Sequence, residues 1–139
     1  RMTDPETLSE GSALQPVTMP PLTLTDVVQY QFASGERSIG HHDDACARAE
    51  GFPSFFSIGM YHAGLLSTCA LQWLGPANVR RFSSRFHDMI WPGDELTYRG
   101  RITRIDEEPD ARWIALDLRC TRDDQTVASA EATFHMPRF

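Results

Sequence analysis

The chain has 139 residues, 41% of them hydrophobic and 23% charged, a balance that suits one compact domain with its own core. Thirteen Lys and Arg against nineteen Asp and Glu leave a formal net charge of −6, which argues against a phosphate backbone as partner, so no nucleic acid is expected. Cys46, Cys69 and Cys120 lack CxxC or metal-ligand spacing and leave at least one thiol unpaired within the chain, which fits a reducing, cytoplasmic setting. No basic n-region followed by an apolar stretch opens the sequence, and no run of about 18 apolar residues occurs, so neither export nor membrane insertion is expected.

Residues 1–21 are polar and punctuated by Pro5, Pro16, Pro20 and Pro21, without helical or strand period, and read as a flexible N-terminal arm, mobile or lying on the surface. The folded domain is expected over 22–139, starting near Leu22. Thr25 or Asp26 can cap a short helix through about Ala33, which Ser34-Gly35 stops. Asp43 and Asp44 head a second short helix, Ala45 to Glu50, where carboxylates favour the positive end of the helix dipole. From Gly59 to Leu74 almost no polar face remains, the mark of a helix buried on all sides; at about 15 residues it is too short to span a bilayer.

Four strand-like stretches follow, roughly Val79–Phe86, Glu95–Ile105, Arg112–Thr121 and Gln125–Met136. Ile114, Leu116, Leu118 and Cys120 alternate with more polar neighbours, as do Ala128, Ala130, Ala132 and Phe134, so each of the last two has one apolar face. Glu107 to Asp110 and Asp123-Asp124 read as turns between antiparallel neighbours. A buried helix followed by such a meander predicts an α+β fold in which an antiparallel sheet wraps around the helix.

The stretch from Tyr30 to Leu66, YQFASGERSIGHHDDACARAEGFPSFFSIGMYHAGLL, resembles the signature of MaoC-like and R-specific enoyl-CoA hydratases, whose YAxxSGDxNPIHxD run precedes a GM dipeptide at the start of a central helix. Arg85-Phe86 with Trp91 to Leu96 is similar to the family's RFxxPVxPGDxL strand and turn, which hot-dog thioesterases share. The resemblance implies the hot-dog fold. It places the catalytic acid/base pair on Glu36 and His41, the oxyanion-hole glycine on Gly59, and substrate contacts on Asp43 and Ser67. Three departures stand out: Glu36 replaces an Asp, Ser38-Ile39-Gly40 replaces Asn-Pro-Ile, and His42 doubles the histidine. The His41-His42-Asp43 run and the helix end Trp73-Leu74-Gly75-Pro76 look most like the small subunit of heteromeric actinobacterial hydratases acting on steroid side-chain enoyl-CoA.

The implied chemistry is addition of water to a trans-2-enoyl thioester or its reversal. It asks for a base and an acid around one water and for N–H donors at the developing oxyanion. No metal or redox cofactor is called for; CoA enters as part of the substrate, its phosphates met by Arg80, Arg81 or Arg85. A homodimer, or a heteromer with a second hot-dog subunit, is expected from the exposed sheet edge. Two other functions fit the same residues: an acyl-CoA thioesterase, and a non-catalytic partner subunit of a heteromeric hydratase. Taken without the motif, His41-His42 reads as a surface pair at the second helix, Glu36 as a solvated carboxylate and Ser67 as helix packing. His62, His87 and His135 have no motif and read as structural or surface residues.

Overall fold

The computed structural model describes residues 3–138. Helix α1 runs Leu24–Ser34 and starts with a capping box: Thr23 accepts from the Asp26 N–H while the Asp26 carboxylate accepts from the Thr23 N–H. Thr23 is therefore the cap, and Asp26, expected as a candidate cap, is its partner three residues on. Gly35 ends the helix in the left-handed conformation at φ 76°, open to glycine without strain. Helix α2, Asp44–Ala49, is capped by Asp43, and helix α3, Gly59–Leu74, has the predicted bounds.

Strands β2 (Val79–Phe86), β3 (Thr97–Glu107), β4 (Ala111–Arg122) and β5 (Gln125–Pro137) fall on the four predicted stretches, and a two-residue strand β1, Val17–Thr18, precedes them. All pairs are antiparallel in the order β1-β3-β4-β5-β2. Asp123 and Asp124 both take positive φ in the tight β4–β5 turn, the conformation that matches the twist of the flanking strands.

The predicted apolar faces lie inward. Ile114, Leu116, Leu118 and Cys120 on β4 and Ala128, Ala130, Ala132 and Phe134 on β5 are buried against α3, whose inner face carries His62, Ala63, Leu66, Ala70 and Leu74. The β5 alanines let α3 lie close to the sheet, and burying Leu66 or Leu74 contributes about 1.5–3 kcal/mol each. This is the hot-dog arrangement of helix and wrapped sheet.

The proline-punctuated N-terminal segment does not stand off from this core. Gly11, Ser12 and Leu14 exchange backbone hydrogen bonds with Gly100 and Ile102, and Val17 pairs with Tyr98, so the segment follows the outer edge of β3. Leu14 fills the space a side chain at position 100 would take: a Cβ there would lie 2.5 Å from Leu14. Leu8 and Leu14 are buried, and Arg112 holds the carbonyls of Pro5 and Leu8. Ordered packing thus reaches well before Leu22, by a mechanism that hydrophobic period does not reveal: a leucine set over a glycine, and backbone pairing at a sheet edge.

Candidate active site

The left-handed turn at Gly35 places Glu36 just beyond the end of α1. Its Oε1 accepts from the Ser38 N–H at 2.9 Å and its Oε2 from the Gln31 amide at 2.8 Å. The Gln31 amide nitrogen also donates to the Ser38 carbonyl at 3.0 Å, and its oxygen accepts from His42 Nδ1 at 2.8 Å. Gln31 is buried, one turn on from Val27 on the inward stripe of α1, and links Glu36, Ser38 and His42 through one amide. Hydrogen bonds from the Ser38 side chain and the Gln31 amide, helped by the Ser38 N–H and the nearby His41, hold the Glu36 carboxyl down to about 2 against the opposing effect of desolvation.

His41 ends a short 3-10 turn, Ile39–His41. Its Nδ1 lies 2.9 Å from the Phe56 carbonyl, which only accepts, so Nδ1 carries a proton and points Nε2 away from that carbonyl. The Phe56 ring meets His41 edge-on at 4.7 Å, and a Cβ on Gly40 would come within 3.5 Å of the same ring. The turn that replaces Asn-Pro-Ile therefore seats its glycine beneath Phe56. Asp43, expected to touch substrate, uses its carboxylate as the cap of α2, accepting from the Cys46 N–H at 2.9 Å.

Gly59 opens α3 behind Ile58, which offers no capping side chain; the Tyr61 N–H donates to the Ile58 carbonyl at 3.0 Å, and the N–H groups of Gly59 and Met60 with the positive end of the dipole are left for another acceptor. The close approach that this glycine allows is made by the protein itself: Phe86 ring atoms lie 3.0 Å from where its Cβ would be. Ser67 lies two turns further along α3 and is half-buried. Arg85 pairs with Ser129 between two inward positions, Phe86 opposite Ala128 and Ser84 opposite Ala130, so it belongs to the outer face of the sheet. Of the six residues expected in a site, the fold sets His41 near Glu36 and against Phe56, three residues ahead of Gly59, engages Asp43 as a cap, leaves Ser67 on the flank of α3 and turns Arg85 away.

Three contributors had no motif. Gln31 is one; its signal was a polar residue at a buried helical spacing. The Phe56 carbonyl is another, invisible to side-chain patterns. The third is a buried chain in which His62 Nε2 meets Ser57 Oγ at 2.7 Å and His62 Nδ1 meets the Tyr98 hydroxyl at 2.8 Å. Burial pushes His62 down to about 4, with Asp94 opposing, and pushes the Tyr98 hydroxyl up.

An antiparallel sheet wrapped around a central helix defines a hot-dog protein. The family model for the MaoC like domain matches residues 8–112, and the chain belongs to that family. The match begins at Leu8, inside the segment docked along β3. Among solved structures, the chain is similar to the R-hydratase PhaJ1 from Pseudomonas aeruginosa (21% identity, TM-score 0.82, covering 96% of this chain and 85% of that one). It is also similar to the (R)-hydratase from A. caviae involved in PHA biosynthesis (22%, 0.82, 95% and 99%). A third likeness is to a chain of the ChsH1-ChsH2 complex from Mycobacterium tuberculosis (19%, 0.80, 92% and 98%). No curated protein matches this sequence.

Proposed function

We propose that the chain is a hydratase/dehydratase that adds water across a trans-2-enoyl thioester, CoA being part of the substrate, with Glu36 and His41 as the acid/base pair and Gly59 as an oxyanion donor. The observation that carries this reading is a carboxylate held ionised by Gln31 and Ser38 near an imidazole whose Nδ1 is fixed by Phe56 and whose Nε2 has no hydrogen-bond partner among the described residues. Glu36 enters the cycle ionised, so it begins as an acceptor for a hydrogen of water. As the water oxygen bonds to C3, negative charge moves to the thioester oxygen, where the first N–H groups of α3 stabilise it. The proton lost by water passes through the Glu36/His41 pair and reappears at C2, which balances the addition.

The acyl group is proposed to be bulky, of the steroid side-chain kind, on the resemblance of the His41-His42-Asp43 run and the Trp73 to Pro76 helix end. A second hot-dog subunit is proposed along β2, a terminal strand of the sheet whose Phe86, with Met60 at the start of α3, leaves apolar surface in solvent. A monomer in light scattering at micromolar concentration would contradict that assembly. A cytoplasmic location is proposed from the cysteines; among the described residues no helix is long and apolar enough to cross a membrane.

The test is hydration of enoyl-CoAs from crotonyl to a steroid side-chain thioester, followed by loss of the enoyl absorbance, in the wild type, Glu36→Gln and His41→Ala. Each substitution is expected to lower the rate far more than tenfold, or about 1.4 kcal/mol of barrier. If neither does, the assignment is wrong, and thiol release from saturated acyl-CoA would put a thioesterase in its place.

A further inference from the structure

We propose that His62 is a positioning residue for this site: its hydrogen bond to Ser57 fixes the segment 56–59, which carries both the carbonyl that orients His41 and the leading N–H groups of α3. The catalytic part of this inference rests on the hydratase reading above.

Two separate requirements of the site converge on these four residues. Phe56 supplies the carbonyl that sets the His41 tautomer, and Gly59 supplies the oxyanion donor. Ser57 lies between them, and its N–H donates to the Ile90 carbonyl at 2.8 Å, tying the segment to the loop before Trp91. Its hydroxyl then reaches forward across the first turn of α3 to His62 Nε2 at 2.7 Å. This bond stands where a capping side chain would normally define the start of a helix, a part Ile58 cannot play. From the other ring nitrogen the chain continues at 2.8 Å to Tyr98, on the inner face of β3, so the helix start is referenced to the sheet.

Ser57, His62 and Tyr98 are 7%, 1% and 1% exposed, so no water can stand in for a lost partner without rearrangement. An apolar residue would fill position 62 as well by volume. What the imidazole adds is two opposed hydrogen-bonding nitrogens, spanning helix start and sheet at a fixed separation.

The experiment compares the whole chain with Ser57→Ala, which removes one hydroxyl and keeps the core, with His62→Phe, and with His62→Gln, whose amide can still reach Ser57. In Ser57→Ala and His62→Phe we expect exchange to rise at least tenfold at the amides of position 57 and Tyr61, which are bonded to the Ile90 and Ile58 carbonyls, while β4 and β5 amides hold. The 15N signature of His41 should move from a single Nδ1–H tautomer toward a mixture. The kcat for hydration should fall at least tenfold with KM within twofold, and His62→Gln should recover most of it. Unchanged exchange and an unchanged His41 signature overturn the inference, as does an unchanged kcat despite loosened exchange. A wild-type chain inactive on every thioester removes the proposed reaction and the catalytic part with it. Spectra that stay the same while the wild type is active remove this inference alone.

Discussion

Two hydrogen-bonded networks lie on either side of the segment 56–59 and solve opposite problems. The outer one, Gln31–Glu36–Ser38 with His42, is built around a negative charge near solvent and keeps it charged by aiming N–H and O–H donors at it. The inner one, Ser57–His62–Tyr98, is dry and keeps its imidazole neutral, because the loss of water outweighs the opposing charge of Asp94. Donors lower one pKa and burial lowers the other, so the same direction of shift has different causes and different consequences. The outer network holds a group ready to take part in proton transfer, whereas the inner one holds geometry.

Glu36→Gln breaks the comparison most sharply. It removes the charge but keeps the shape, and a kcat loss of about 10²- to 10⁴-fold is expected, the range a positioned acid or base contributes. The melting temperature should scarcely move, since Glu36 lies near solvent and its bonds compete with water. A comparable loss of stability would show that the outer network is structural after all.

The inner network should announce itself in the pH dependence of stability as well as in kcat. The unfolded chain protonates His62 near 6.5 and the folded chain only near 4, so between these values the unfolded state binds more protons and stability falls with falling pH. The loss is on the order of 3 kcal/mol, complete once the pH has passed below 4, and absent above 6.5. Glu36, also depressed when folded, acts in a lower window, between its ordinary 4.5 and about 2. Urea titrations at stepped pH would separate the two. The upper window should vanish in His62→Phe and persist in Glu36→Gln; a slope between pH 6.5 and 4 that survives His62→Phe belongs to another group.

Gln31→Leu tests whether the outer charge depends on its amide. With one of its two side-chain donors gone, the Glu36 pKa should rise toward the ordinary range, and hydration should slow by about tenfold, or about 1.4 kcal/mol of barrier. A carboxylate titration by NMR that matches the wild type would mean that Ser38 alone suffices.

How much of this was legible in the sequence follows from which interactions leave a periodic trace. Helix α3 and strands β4 and β5 announce themselves because each packs along one line of side chains, as with Ile114, Leu116 and Leu118. Glu36, His41 and Gly59 were singled out through a motif, and the fold links His41 to the Phe56 carbonyl three residues ahead of Gly59. What the sequence concealed is what passes through backbone or through single polar residues in apolar settings: the Phe56 carbonyl behind His41, Gln31 on the buried stripe of α1, and His62 within α3. The docking of Leu14 over Gly100 was hidden for a related reason, since an absent side chain is legible only once its neighbour across space is known. A motif transfers identity but not direction, and Arg85 shows the difference. Its place in the motif suggested CoA phosphates, yet strand alternation turns it to the opposite face from α3.

The smallest expected effect follows from that alternation. A strand side chain on the outer face is separated from α3 by the thickness of the sheet, so a CoA phosphate bound near Gly59 has no direct route to it within one subunit. Arg85→Ala should therefore leave KM for an enoyl-CoA within about twofold, with the salt dependence of KM also unchanged, because an exposed arginine distant from the phosphates is screened over about 8 Å at physiological ionic strength. A KM rise of tenfold or more, steepest at low salt, would place the CoA tail across the β2 edge. The substrate would then have to be shared between this chain and the subunit beside that edge, since β2 is where the two faces of the sheet meet.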